Sequence, residues 1–91
     1  MIIFDDDLLI SEKAGKQKKR ITERLKNGRK LKNVWLLTDP GNPANLYEII
    51  DSKLLSFSYY KNRSVHVYGI GKTRDEAVEL LLTVLEGRKD L

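Results

Sequence analysis

One stretch constrains the fold more than any other: residues 64–87, where a β pattern passes directly into a capped helix. Val65-His66-Val67-Tyr68 is rich in β-branched and aromatic residues and alternates, which reads as a strand over 64–70. Gly69-Ile70-Gly71-Lys72 breaks that run, and Thr73-Arg74-Asp75-Glu76 follows as a capping box. The Thr73 hydroxyl is expected to accept from the Glu76 N–H while the Glu76 carboxylate returns to the Thr73 N–H. A helix over about 74–86 then presents Ala77, Leu81, Val84 and Leu85 at helical spacing, with Gly87 as its stop.

Upstream, Val34-Trp35-Leu36-Leu37 is a short continuous apolar run, suited to a central strand over 34–39 covered on both faces. Asn42-Pro43 pairs a good N-cap with a proline at the first helical position and predicts a short helix over about 43–51. Leu55, Phe57 and Tyr59 alternate with Ser56, Ser58 and Tyr60, predicting a strand over 54–60 that turns through Lys61-Asn62-Arg63 into the strand at 64–70. Ser11 is an N-cap for a basic helix over about 12–27, which either starts there or restarts after Gly15, and Asn27-Gly28 ends it. Ile2-Ile3-Phe4 and Leu8-Leu9-Ile10, on either side of Asp5-Asp6-Asp7, are each candidates for a short edge strand.

These elements predict a single α+β domain over 1–91, made of an N-terminal basic segment, 1–32, and a compact body, 33–91. The body is a three-stranded, antiparallel-type sheet with both of its helices on one face, like a ferredoxin-like fold without its last strand. With the 64–70 strand at the centre the order is 34–39, 64–70, 54–60, and either an N-terminal strand near Ile2 to Phe4 completes the sheet or its exposed edge pairs with a second copy.

Charge is distributed unevenly. The net charge is +4, yet residues 13–32 carry ten Lys or Arg against one acidic residue, Glu23, leaving the rest of the chain at −5. Such asymmetry points to an anionic partner or to association between the two halves. The candidate polyanion-binding residues are Lys16, Lys18, Lys19, Arg20, Arg24, Lys26, Arg29, Lys30 and Lys32. Crowded on a helix, they would neutralise phosphates without reading sequence. Tyr59 and Tyr60, beside Lys61 and Arg63, are candidates for base stacking, with cross-strand packing as the alternative.

Other chemistry is poorly provided for. The absence of cysteine excludes disulfides, thiolate metal sites and a cysteine nucleophile. Gly71-Lys72-Thr73 has the setting of a phosphate-binding P-loop, but His66 stands where the first glycine should be. What survives is a helix start and Lys72 as a general anion site. His66, the one histidine, has neither an orienting carboxylate nor a nucleophile at a suggestive spacing, and Asp5-Asp6-Asp7 reads as a solvated acidic terminus. No catalytic residue, cofactor or metal is expected, and no small-molecule substrate is evident. No apolar run approaches the ~18 residues of a membrane span, and Met1 to Asp7 lacks a signal peptide's basic start, which predicts a cytoplasmic protein.

Residues 34–86, chiefly Asn45-Leu46-Tyr47-Glu48-Ile49-Ile50, Tyr59-Tyr60-Lys61, Val67-Tyr68-Gly69-Ile70 and Asp75-Glu76-Ala77, resemble small uncharacterised bacterial proteins that carry no known activity. Gly69-x-Gly71-x-Thr73-x-x-Glu76-Ala77 is also similar to the last strand and helix of double-stranded RNA-binding domains, and to the strand-turn-helix of HicB-like antitoxins. In the RNA-binding domains basic residues at the start of that helix meet the phosphates, whereas Asp75 and Glu76 stand there in this chain. The resulting expectation is a non-enzymatic interaction or regulatory protein that associates with itself, as in a homodimer, or with a foreign protein. Self-association would use a sheet edge or helix residues left over from the core, such as Leu80. The alternative is a nucleic-acid accessory factor working through 13–32.

Overall fold

A computed structural model describes residues 1–29, 31–41 and 44–89, apart from the side chains of 58, 59, 88 and 89. The fold is α+β around a mixed sheet of four strands. In chain order the elements are β1 (Ile2–Ile10), α1 (Glu12–Gly15), α2 (Lys18–Lys26), β2 (Trp35–Thr38), β3 (Glu48–Asp51), a 3-10 helix (Ser52–Ser56), α3 (Ser58–Lys61), β4 (Val65–Gly71) and α4 (Arg74–Lys89). The sheet order is β1-β4-β2-β3, with β1 parallel to β4 and the other two pairings antiparallel.

The 64–70 strand is central, as its pattern predicts, and the Val34-Leu37 run supplies the other inner strand. Two expectations fail between them. The helix predicted over 43–51 is replaced at its C-terminal end by β3, which pairs with β2 from Trp35↔Asp51 to Thr38↔Glu48; Asn42 and Pro43 lie outside the described residues. Ile49 and Ile50 are β-branched and pair locally with β2, which outweighs the helical signal. The strand predicted over 54–60 is also absent. Asp51 caps a 3-10 helix by accepting from the Lys53 N–H at 3.0 Å, and the Ser56 hydroxyl donates to the Lys53 carbonyl at 2.9 Å. These local bonds satisfy the backbone that a sheet ladder would otherwise have used. Lys61 therefore ends α3, and Asn62-Arg63 follow it rather than closing a hairpin.

The basic helix over 12–27 is split. Ser11 caps α1 by accepting from the Ala14 N–H, Gln17 leaves helical geometry, and α2 restarts at Lys18. It ends in a Schellman turn, with Arg29 N–H on the Arg24 carbonyl at 2.9 Å, Gly28 N–H on the Leu25 carbonyl at 3.2 Å, and Gly28 at φ +70°. Gly87 does not stop α4, which runs on to Lys89. An isolated glycine costs a helix only ~1 kcal/mol.

Helices lie on both faces of the sheet, α1 and α2 on one and α4 on the other, and the pair expected on a single face is not formed because β3 occupies the end of 43–51. Leu36, Ile50, Val65, Val67 and Ile70 form a buried cluster with Ala14, Ile21 and Leu25 of α1 and α2. Leu37 alternates with Leu36 and so faces the other side, where Leu80 of α4 lies over it and Gly69. A β-carbon at Gly71 would stand 2.9 Å from the Glu76 β-carbon, so these glycines let α4 approach the sheet and do not end the strand.

A break in register at Tyr68 shapes the middle of the sheet. On the β2 side Leu37 pairs with Gly69 and Thr38 with Val67, and on the β1 side Phe4 pairs with Val67 and Leu9 with Gly69. This bulge brings Val67 and Ile70, three apart, into the same core cluster. His66 consequently shares a face with Tyr68 but not with Ile70. The two apolar clusters of the N-terminus prove to be one edge strand, with Asp5 to Leu8 looped out of register between them.

Candidate anion-binding groove

Burial of Ile21 and Leu25 fixes one side of α2 against the sheet and turns its charges outward. Lys18, Lys19, Arg20 and Lys26 are exposed and Arg24 is half-buried; beyond the helix, Arg29 and Lys32 are exposed, as is Lys16 before it. Lys30 lies outside the described residues. Among the described residues the ion pairs are Arg63–Asp39 at 3.3 Å and His66–Asp5 at 3.0 Å, so no carboxylate neutralises the cations of this segment at ion-pair distance.

The structure divides these cations between two places. Arg20, Arg24 and Lys32 line a groove of about 270 Å³ whose floor is Ile21, Leu31 and Val34. Lys72, from the β4–α4 turn, joins them, and its ammonium donates to Gln17 Oε1 at 3.3 Å. Four cations from three separate segments thus line one groove with an apolar floor, and its described lining contains no carboxylate. Lys26 and Arg29 instead face a different cleft, at the C-terminal end of α2. The sequence singles out Lys72 with the start of α4 and not with the basic segment, because its nearness to α2 depends on the parallel β1–β4 pairing. No local pattern encodes that pairing.

The start of α4 is closed to an outside anion by the chain's own carboxylate. Thr73 Oγ1 accepts from the Glu76 N–H at 3.1 Å, while Glu76 Oε1 accepts from the Lys72 N–H at 2.8 Å and from the Ser11 hydroxyl at 2.5 Å. The capping box therefore forms, with its return bond one residue earlier than predicted. The Ser11 hydroxyl, then the Lys72 N–H, hold the Glu76 carboxyl below its ordinary value.

His66 does have an orienting carboxylate, contrary to its sequence reading. Its Nε2 meets Asp5 Oδ1 at 3.0 Å, its N–H donates to Asp39 at 2.9 Å, and its ring lies 4.5 Å from that of Tyr68. The His66 contact lowers the Asp5 carboxyl from its ordinary value. Among the described residues no group of three or more His, Asp or Glu is arranged to hold a metal ion.

Tyr60 sits on α3, half-buried, with its hydroxyl donating to Glu48 at 3.2 Å and the Arg63 guanidinium 5.8 Å from its ring centre. The Tyr59 side chain lies outside the described residues. Among the described residues no helix is long and apolar enough to cross a membrane. Leu80, expected to be left over from the core, packs over Gly69, whereas Leu82 on the same helix is 53% exposed. Comparison with known protein families, curated proteins and solved structures finds no match.

Proposed function

We propose that this chain is a small, non-enzymatic cytoplasmic binding module whose ligand is the phosphate backbone of a nucleic acid. The observation that carries this reading is the groove in which Arg20, Arg24, Lys32 and Lys72 converge on Ile21, Leu31 and Val34, with no carboxylate among its described lining residues. Glu76 offsets part of the Lys72 charge, and the cations that remain in excess raise the local potential and attract a polyanion. Arginine adds a planar fork that matches phosphate bidentately. The described lining has one neutral polar side chain, Gln17, whose Oε1 is taken by the Lys72 ammonium, so recognition rests on the backbone and does not depend on sequence.

Neutralising four phosphates gives log Kobs against log salt a slope of about −3 on a single strand and about −3.6 on duplex DNA. A salt titration with generic single-stranded and duplex DNA and RNA tests this. Arg20→Glu/Arg24→Glu should abolish retention at low salt and leave the melting temperature nearly unchanged. Absence of binding by the unmodified chain at low salt would dispose of the reading, as would equal binding by the variant.

A further inference from the structure

The second cleft, at the other end of α2, is distinct from the phosphate groove. It has a volume of about 190 Å³, and its apolar wall is Ile2, Leu25 and Leu55, which belong to or pack against the core. Three cations reach it from different segments: Lys26 in the last turn of α2, Arg29 just past the Schellman turn, and Lys61 at the end of α3. The Lys26 ammonium stands 5.6 Å from the centre of the Phe4 ring, a cation–π contact that keeps it on the β1 side of the mouth. The described lining contains no carboxylate.

The hydroxyls in the cleft restrict the ligand further. Ser52 donates to the Leu31 carbonyl at 3.4 Å, Ser56 to the Lys53 carbonyl at 2.9 Å, and Tyr60 to Glu48 at 3.2 Å. With those protons engaged inside the protein, the side-chain donors that the described lining offers a ligand are the ammonium and guanidinium groups of Lys26, Arg29 and Lys61. A cavity of ~150 Å³ with apolar walls accommodates a benzene ring.

From these features we infer that the cleft between α2, the 3-10 helix and α3 binds a small organic oxyanion, a carboxylate or phosphate ester on an apolar body about one six-membered ring in size. The ring would rest on Leu25 and Leu55 while the oxyanion meets Lys26, Arg29 and Lys61. This assignment is independent of the nucleic-acid reading, because the two sites share no lining residue.

The test is an NMR titration of the full chain with phenyl phosphate and with benzoate, using benzyl alcohol and inorganic phosphate as controls. Saturable shifts are expected at Leu25, Leu55 and Tyr60 with at least one of the two aromatic anions, whereas benzyl alcohol and inorganic phosphate leave the Leu25 and Leu55 methyls unmoved. Response to phenyl phosphate alone assigns a phosphate ester, response to benzoate alone a carboxylate, and response to both the wider class. Lys26→Ala and Arg29→Ala, both at exposed positions, should each weaken binding about tenfold. Arg20→Glu/Arg24→Glu, which disables the other groove, should leave it unchanged. Equal shifts with benzyl alcohol, shifts that map away from the cleft, or undiminished affinity in both alanine variants would overturn the assignment.

Discussion

Glu76 connects the starts of two helices through one carboxylate, and replacing it exposes how much that connection contributes. Glu76→Ala removes the acceptor of the Ser11 hydroxyl and of the Lys72 N–H. Hydrogen bonds to a charged group contribute ~1.5–3 kcal/mol each when sheltered, and the site is only half-buried, so the combined loss is about 2 kcal/mol. For a domain of this size that lowers Tm by about 8–16 °C. Glu76→Gln keeps an acceptor without the charge and should lose about half as much.

The pH dependence follows from the sign of the shift. The folded carboxyl titrates below its ordinary value of 4.5, so the unfolded chain takes up this proton at higher pH than the folded one. The contribution is therefore complete above the unfolded value and disappears as pH falls through the folded one. Thermal melts followed by circular dichroism should show a constant gap between the unmodified chain and Glu76→Gln from about pH 6 to 8, closing on acidification below about pH 4. Identical melting at pH 7, or a gap that persists undiminished at pH 2, would refute the reasoning.

Three further substitutions probe the glycines. Gly71→Ala should cost ~1–3 kcal/mol because its new β-carbon meets the Glu76 β-carbon at 2.9 Å and the Ala77 nitrogen at 3.1 Å, whereas Gly87→Ala, with nothing within 4 Å, should gain ~0.5–1 kcal/mol; chemical denaturation of both variants checks the contrast. Gly28→Ala places a side chain at φ +70° and should destabilise by ~1 kcal/mol, measurable as a lower denaturation midpoint at unchanged slope.

What was legible in the chain was local chemistry. The Ser11 cap, the Asn27-Gly28 stop and the Thr73–Glu76 box all rest on neighbours within a few residues. The misread elements lie between Asn42 and Asn62, where period alone is ambiguous, while the Gly87 stop, the surplus Leu80 and the missing carboxylate of His66 are single residues misread elsewhere. Alternating apolar residues at Leu55 and Phe57 imitate a strand, but Phe57 is 59% exposed and the serines and Asp51 bond their own backbone. The Pro43 start imitates a helix, while Ile49 and Ile50 find β2 nearby. Of the site, the basic residues were visible and their division into two clefts was not, because that depends on where α2 ends against the 3-10 helix and on which turn arrives beside it.

The parallel pairing of β1 with β4 also carries a consequence for the order of events during synthesis. β2 and β3 are neighbours in sequence and close quickly, but Ile2 must wait for Val65, so the edge strand docks late. Lys72 arrives later still. The groove is therefore completed last: until β1 and β4 are paired, Arg20, Arg24 and Lys32 have no Lys72 beside them.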